Sequence, residues 1–249
     1  MKISISFDFF GSDENPKTVD FSDYCVIIID VLRASTTICT LLELCDKIYI
    51  TDSLEKAEKI ENSIKIGERN AQKIEGFDFG NSPVELIVNK NLIKEHANNG
   101  GNIVLTTTNG TRVLENISSE HILIGSITNA EEVAKKAYSI AKKNKKGIML
   151  VPCHRKGNFA IEDFIGAGII ANYLFKEYDE KIPDEKFEEL ISARVLTKSD
   201  WVRKIFESNS GANLKKLGYF EDLIFCTSKN SQKSVGIFDK KSGIISQLI

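Results

Sequence analysis

One stretch of the chain, residues 24–40, constrains the fold more strongly than any other. It begins with an apolar run at residues 25–29, which is rich in β-branched side chains and too short for a typical helix. Such a run is typical of a strand that is buried on both faces inside a parallel sheet. From Ile38 onward the apolar residues recur at helical spacing. The pattern therefore predicts a strand, a turn and a helix.

Polar side chains lie between this predicted strand and helix. Asp30 follows the strand directly, and Arg33, Ser35 and Thr36 occupy the turn and the first helical positions. Ligands of open α/β sheets bind outside the carboxyl ends of the strands, and a helix N-terminus attracts anions. The stretch therefore indicates a site for a metal ion and a phosphate. The structural alternative is that Ser35 or Thr36 caps the helix and that Asp30 pairs with Arg33.

The overall composition indicates a soluble protein with one domain. A chain of 249 residues can form one large or two small domains, and the lack of a linker favours a single domain over residues 1–249. The net charge of -2 argues against nucleic acid as a partner, and no apolar run reaches the length of a membrane span. The five cysteines are odd in number and lack CxxC spacing, which is typical of reduced thiols in a cytoplasmic protein.

The patterning along the chain predicts an α/β fold, in which a layered sheet of mostly parallel strands is flanked by helices and the C-terminal part is more helical. The predicted strands cover residues 2–9, 25–29, 47–51, 63–66, 102–105, 121–125, 147–152 and 222–227. A terminal hairpin is predicted within residues 234–246. The predicted helices include residues 53–62, 184–195, 199–206 and 211–217.

Charged residues follow several of the other predicted strands. Glu68 comes after the strand at residues 63–66, and residues 106–112 repeat the order of strand, hydroxyls and arginine. Carboxylates at or just past strand ends are Asp30, Glu68, Glu162 and Asp163. Because Mg²⁺ commonly takes one or two carboxylates together with waters and substrate oxygens, this set predicts an oxygen-ligand site for a hard cation. The arginines suited to gripping an anion there are Arg33, Arg69 and Arg112.

The segment at residues 70–83 is predicted to be a loop with two possible roles. Its glycines, asparagines and proline are loop formers, yet it also carries two phenylalanines and an aspartate. One interpretation is a functional loop that covers or lines the site, with Asn81 or Ser82 reaching the substrate. The other is a surface loop in which Ser82 caps the helix that starts at Pro83.

Residue spacing argues against several familiar phosphatase chemistries. An aspartyl-phosphate mechanism needs a second carboxylate two residues after Asp30, where the chain has Leu32. A cysteine phosphatase needs a loop-closing arginine, but Phe159 takes that place after Cys153. P-loop spacing is absent, and His96, His121 and His154 do not form a zinc-type cluster.

Several motifs occur in the same order as in one known family. They are DVLRASTT at residues 30–37, GER at 67–69, GFDFGNSP at 76–83, TTTNGTR at 106–112, and ED at 162–163 followed by AG at 167–168. On these motifs the chain resembles the 2-phosphosulfolactate phosphatase family over nearly its whole length. It departs from the family pattern at Ser210, where a histidine is usual.

The resemblance implies a Mg²⁺-dependent phosphatase with an α/β fold that forms a homodimer. The implied reaction releases 3-sulfolactate and inorganic phosphate, a step of coenzyme M biosynthesis, from a small anionic phosphorylated substrate. The alternative from another class is a non-catalytic binder of small organic phosphates or sulfonates. Such a binder would keep the arginines and hydroxyls but would not need the carboxylates as metal ligands.

These motifs together predict a set of site residues. The predicted catalytic residues are Asp30, Arg33 and Glu68, and the predicted metal ligands are Asp30, Glu68 and Asp163. The predicted substrate-binding residues are Ser35, Thr36, Arg69, Asn81, Ser82, Thr107, Thr108, Asn109 and Arg112. We expect Arg33 at the transferring phosphoryl group and Arg112 at the remote carboxylate or sulfonate. Whether the nucleophile is water or a side chain stays open.

Overall fold

The computed structural model describes residues 1–6, 19–107, 109–155, 158–177 and 187–248, with only the backbone of residues 109, 110, 177 and 187. The described strands are β1 (Ile3–Ile5), β2 (Val19–Asp20), β3 (Tyr24–Ile29), β4 (Lys47–Thr51), β5 (Ser63–Arg69), β6 (Gln72–Lys73), β7 (Asn102–Thr106), β8 (Ile117–Ser118), β9 (His121–Gly125), β10 (Gly147–Pro152), β11 (Gly236–Asp239) and β12 (Ile244–Gln247). The described helices are α1 (Ala34–Leu42), α2 (Leu54–Glu58), α3 (Pro83–Val88), α4 (Lys90–Asn98), α5 (Asn109–Glu115), α6 (Ala130–Asn144), α7 (Ile161–Glu177), α8 (Phe187–Leu196), α9 (Trp201–Phe206), α10 (Asn209–Lys216) and α11 (Phe220–Cys226).

Ten of the described strands form one mixed sheet in the order β1-β10-β3-β9-β11-β12-β4-β7-β5-β6. Neighbouring strands are parallel within the group β1-β10-β3-β9 and within the group β4-β7-β5. The predicted terminal hairpin exists as β11–β12, and it joins the two groups by pairing antiparallel with β9 and β4. Helices α7 to α11 follow the last parallel strand. The predicted mostly parallel, helix-flanked sheet with a more helical C-terminal part is therefore confirmed.

The hairpin reverses the direction of the second group of strands relative to the first. Three antiparallel pairings separate β9 from β4, so β4, β7 and β5 run opposite to β3 in the sheet. In a flat sheet, six steps from β3 to β5 would span roughly 29 Å at about 4.8 Å per step. Residues after both strands nevertheless line one cavity. The sheet must therefore twist and coil, and a twist of roughly 20–25° per step accumulates to about 120–150°.

Strand β3 is buried on both faces, as its apolar run predicts. Cys25, Ile27 and Ile29 pack into one hydrophobic cluster together with residues of α6 and α7. Val26 and Ile28 pack into a second cluster, which includes residues of α1. Successive side chains of a strand point to opposite faces, so an unbroken apolar run supplies both layers of the core.

One predicted element is wrong. Residues 222–227 were predicted to form a strand, but Phe220–Cys226 forms helix α11. Leu223 and Cys226 are buried while Ile224 is 44% exposed, which is the periodicity of a helix and not of a strand. The acidic residues Glu221 and Asp222 in the first turn favour this helix through its dipole.

The other predicted elements differ from the structure mainly at their ends. The helix capped by Ser53 ends at Glu58 rather than at residue 62, and β5 continues to Arg69. The predicted extension of the first strand over residues 7–9 and the start of the helix at residues 184–186 lie outside the described residues. The single domain over residues 1–249 stays a prediction. Among the described helices, none combines the length and apolar character needed to cross a membrane.

The contact between α7 and α8 depends on Gly168. A Cβ atom added to Gly168 would lie 2.2 Å from the carbonyl oxygen of Ala193. We predict that Gly168→Ala lowers the free energy of unfolding, because overpacking costs roughly 1–3 kcal/mol and outweighs the gain of about 1 kcal/mol in helix propensity. Urea denaturation measures this, with Lys143→Ala on α6 as a surface control expected within about 0.5 kcal/mol of the parent. A Gly168→Ala protein more stable than the parent would contradict the close packing.

Candidate active site

A cavity of about 90 Å³ opens where α1 begins, beside the ends of β3, β5, β7 and β10. Five of the sequence-predicted site residues line it: Asp30, Arg33, Glu68, Asn81 and Thr107. The cavity therefore collects residues that follow strands of both parallel groups.

Asp30 is held by reciprocal hydrogen bonds between the end of β3 and the first turn of α1. The backbone N–H of Asp30 donates to the Ser35 hydroxyl, and the Ser35 N–H donates to the Asp30 carbonyl. Both hydrogen bonds are 2.9 Å long. The N–H of Ala34 donates to Asp30 Oδ1 at 3.3 Å. The structural alternative from the sequence is wrong, because Ser35 and Thr36 lie inside α1 and Asp30 forms no ion pair with Arg33.

The charge of Asp30 is destabilised by its surroundings. Burial raises the pKa of Asp30 to about 7, and the negative charges of Glu68 and Glu162 act in the same direction. The hydrogen bond from Ala34 and the positive charge of Arg33 act in the opposite direction and lower it. A buried carboxyl beside other carboxylates favours either a proton or a bound cation.

Two further oxygen donors face the same cavity as Asp30. Glu68 lies near the end of β5, and its Oε2 accepts the N–H of Ala71 at 2.8 Å. Asn81 is 4% exposed, and among the described residues no group forms a hydrogen bond with its Oδ1. An orphaned buried carbonyl oxygen costs about 1–3 kcal/mol, so its position indicates a partner that is bound during function.

Asp163 ties two strand ends together instead of lining the cavity. Its Oδ1 accepts the N–H of Val31 at 2.8 Å, and its Oδ2 accepts the N–H of His154 at 3.0 Å. Burial raises the pKa of the Asp163 carboxyl well above its usual range, and the charges of Asp30 and Glu162 act in the same direction. Asp163 thus fixes the end of β3 against the end of β10. Its predicted role as a metal ligand stays a prediction.

Arg33 lines the cavity but is anchored to the C-terminal part of the chain. Its Nη1 donates to Asp222 Oδ2 at 2.6 Å and its Nη2 donates to the carbonyl of Ala71 at 2.9 Å. The guanidinium also stacks on the ring of Tyr219, with 4.3 Å from Cζ to the ring centroid. Both terminal nitrogens of the guanidinium therefore donate to the protein, and its charge is balanced by Asp222.

Two predicted substrate-binding hydroxyls have structural partners. The Thr36 hydroxyl donates to the carbonyl of Val31 at 3.0 Å and shares a 2.7 Å hydrogen bond with Ser126. The Ser82 hydroxyl donates to Asp222 Oδ1 at 2.7 Å and accepts the N–H of Glu85, which caps α3 as predicted. Neither hydroxyl is among the described groups that line the cavity.

The predicted arginines differ in where they lie. Arg69 donates to the carbonyls of Glu68 and Asp52, at 2.8 and 2.6 Å, and Arg112 lies on α5. Neither is among the described residues that line the cavity. Thr108 and the side chain of Asn109 lie outside the described part of the chain.

Several lining residues were missed by the sequence analysis. They are Leu32, Ala34, Asn70, Ala71, Arg155, Ser210, Asn213 and Leu214. Arg155 follows β10, so the rule that selected Asp30 at a strand end also applied to it. Asn70 and Ala71 belong to the loop at residues 70–83, which lines the cavity as one of its two interpretations predicted. Helix α10 was marked in the sequence only at Ser210, where the family pattern has a histidine, and its approach to the cavity is visible only in the folded chain.

The cysteine and histidine after β10 have the wrong protonation states for nucleophilic or general-acid work. Burial raises the pKa of the Cys153 thiol well above its usual range, so the thiolate is disfavoured. Burial lowers the pKa of His154 to about 4, and its Nδ1 accepts the N–H of Ala160 at 3.0 Å. This agrees with the spacing argument against a cysteine phosphatase.

The donor set of the cavity suits a hard cation that keeps part of its water shell. Among the described residues, no three His, Cys, Asp or Glu side chains cluster as a complete metal-binding group. Asp30 and Glu68 nevertheless line one cavity together with the orphaned oxygen of Asn81. Two carboxylates supplemented by waters and substrate oxygens are typical of Mg²⁺ sites, so the residues present fit this ion.

Comparison with known proteins finds relatives along nearly the whole chain. Residues 10–241 match the family described as 2-phosphosulpholactate phosphatase. The 2-phosphosulfolactate phosphatase of Methanocaldococcus jannaschii is 52% identical over 220 residues, 88% of this chain and 91% of that protein. The probable 2-phosphosulfolactate phosphatase of Clostridium tetani is 32% identical over 97% of this chain and 100% of its own length. The probable 2-phosphosulfolactate phosphatase of Thermotoga maritima is 36% identical over 84% of this chain and 86% of its own length.

The Arg33–Asp222 ion pair generates a stability prediction. Asp222→Ala leaves Arg33 buried without its counter-charge, which typically costs 3–5 kcal/mol. We therefore expect the free energy of unfolding to fall by about 3 kcal/mol or more in urea denaturation. Asp23→Ala, which removes an exposed carboxylate that forms no hydrogen bond or ion pair among the described residues, is the matched control and should change stability by less than about 0.5 kcal/mol. Equal stability of the two variants would show that the pair does not hold the site together.

Proposed function

This chain belongs to the 2-phosphosulpholactate phosphatase family, and we propose that it hydrolyses 2-phosphosulfolactate to 3-sulfolactate and inorganic phosphate with Mg²⁺ as cofactor. It is a phosphoric monoester hydrolase, as the name of its 52% identical relative says of that protein. The substrate and the metal dependence are the parts that the proposal adds.

The observation that carries the proposal is the combination of groups in one cavity. Asp30 and Glu68 supply carboxylates, and Asn81 supplies a buried carbonyl oxygen without a described hydrogen-bond partner. The cavity also lies against the first turn of α1, where the helix dipole favours a negative charge. Oxygen donors next to a helix start are what a metal-bound phosphate monoester requires.

Asp30 and Glu68 would hold Mg²⁺, with Asn81 within the same lining. When bound there, the ion would offset charge on the phosphoryl oxygens and lower the pKa of a bound water. Its presence would also offset the repulsion between the two carboxylates, which raises the pKa of Asp30. We propose Asp30 and Glu68 as the ligands because carboxylate oxygens are what Mg²⁺ prefers in proteins.

The remaining lining residues would bind and orient the substrate. Arg33 is fixed by Asp222 and therefore presents its charge to the cavity without having to be ordered when substrate binds. Thr107 shares its hydroxyl hydrogen bond with Thr111 at 3.1 Å, which positions it at the cavity wall. Leu32 and Leu214 supply apolar lining that limits the access of water.

The setting of the reaction follows as part of the same proposal. We place the hydrolysis in coenzyme M biosynthesis, on the resemblance of the motifs to the family. Five free cysteines, four of them buried, are consistent with a reducing compartment such as the cytoplasm. Assembly into a homodimer is likewise proposed from the resemblance.

The metal dependence can be tested by removing one proposed ligand. Asp30→Asn keeps the size of the side chain but removes its charge, so we predict a fall in kcat/KM of roughly a hundredfold or more. The readout is phosphate release from 2-phosphosulfolactate with added Mg²⁺ and in excess EDTA. Asp239→Asn, at an exposed position, is the matched control and should behave as the parent in both conditions.

Two outcomes would contradict the proposal. Full activity in excess EDTA would contradict the proposed Mg²⁺ dependence but would still be compatible with phosphatase activity. Binding of 2-phosphosulfolactate without any release of phosphate would instead support the alternative of a non-catalytic binder. Folded protein in each assay is verified by circular dichroism, so that loss of activity is not confused with unfolding.

A further inference from the structure

The cavity contains two arginines, and they differ in how their charges are used. Arg33 is 4% exposed and donates to Asp222 and to the Ala71 carbonyl. Arg155 is exposed, and among the described residues its guanidinium has neither a hydrogen bond nor an ion pair. Arg155 is therefore the cation of the lining whose guanidinium donors are all uncommitted within the described part of the chain.

The backbone of Arg155 is nevertheless held in place. Its N–H donates to the carbonyl of Asn158 at 2.9 Å, and the N–H of Asn158 donates back to the carbonyl of Arg155 at 2.8 Å. On the preceding side, the N–H of His154 is bound by Asp163. The side chain thus projects from a fixed segment into the lining of the cavity, with its donors uncommitted.

Arg155 and Asp30 differ in how deeply they lie in the cavity lining. Asp30 is 7% exposed, whereas Arg155 is exposed to solvent. Polar groups of α10, the side chains of Ser210 and Asn213, belong to the same lining. The lining therefore combines a buried carboxyl at Asp30 with a solvent-exposed guanidinium and neutral hydrogen-bonding groups.

The proposed substrate has an anionic group for this second part. In 2-phosphosulfolactate the carboxylate is attached to the carbon that bears the phosphate, whereas the sulfonate is one carbon further away. The sulfonate stays ionised at every pH at which proteins fold, and its three oxygens match the forked donors of a guanidinium. The group most distant from the phosphate therefore suits the arginine on the solvent-exposed side of the cavity.

We infer that Arg155 binds the sulfonate of the substrate and so determines specificity for sulfonated phosphate esters, an inference that rests on the proposed function. Arg112 was the arginine expected from the sequence for this task, but it is not among the described residues that line the cavity. Arg155 occupies the position that the task requires. Arg155 contributes to binding the sulfonate end of the substrate and not to the transfer of the phosphoryl group.

The test compares two substrates that differ only in the sulfonate. Arg155→Ala should raise KM for 2-phosphosulfolactate roughly 10- to 100-fold, the range of a lost charge-assisted hydrogen bond, with kcat changed far less. For 2-phospholactate, which keeps the phosphate and the carboxylate, KM should change by less than about threefold. Arg155→Lys keeps the charge without the fork and should give an intermediate KM. Arg203→Ala, on the exposed face of α9, is the control and should match the parent on both substrates.

Calorimetric binding of 3-sulfolactate provides a readout that does not depend on catalysis. Weaker binding to Arg155→Ala than to the parent supports the inference, and equal binding overturns it. An equal rise in KM for both substrates would also overturn it, because it would place Arg155 at the carboxylate or phosphate. If the parent protein releases no phosphate from either ester, the proposed function fails, and the titration with 3-sulfolactate alone decides the role of Arg155. If the parent protein also does not bind 3-sulfolactate, the inference about Arg155 is overturned as well.

Discussion

The buried ion pair between Arg33 and Asp222 is the interaction on which the site depends. The two residues are 189 positions apart in the chain, and their side chains are 3% and 2% exposed. Burying two charges costs several kcal/mol per ion, which is offset only by good geometry and further hydrogen bonds. Here Asp222 also accepts the Ser82 hydroxyl, while Arg33 donates to Ala71 and stacks on Tyr219. One pair thus joins the start of α1, the loop after β5, the cap of α3 and helix α11.

This pair has consequences for both walls of the cavity. By engaging Asp222, the Arg33 guanidinium leaves the Asp30 carboxylate, at the end of β3 beside Glu68, without an ion-pair partner among the described residues. Helix α11, which carries Asp222, packs against α10, and α10 contributes Ser210, Asn213 and Leu214 to the cavity lining. The start of α1 and the helices that complete the lining thus depend on one contact.

Local patterns predicted the elements and several of the site residues, but not the partners that each side chain would find. The apolar run before Asp30 favours a strand because it is short and rich in β-branched residues. Asp30, Glu68 and Asn81 do share one cavity. Asp163 was expected at or just past a strand end but lies in the first turn of α7. Its bonds to two backbone N–H groups depend on a contact between β3 and β10 that spacing does not encode. Asp222 was missed because its segment was misread as a strand. Its partner Arg33 lies 189 positions away in the chain, and local sequence patterns carry no information on contacts over such a separation.

The central claim is that the cavity lined by Asp30 and Glu68 is where phosphate ester is cleaved. A crystal structure of the protein with Mg²⁺, inorganic phosphate and 3-sulfolactate tests it most directly. We expect the metal on oxygens of Asp30 and Glu68 and the phosphate against the first turn of α1, with Arg33 still bonded to Asp222. Metal and phosphate bound together outside this cavity, with Asp30 and Glu68 touching neither, would contradict it.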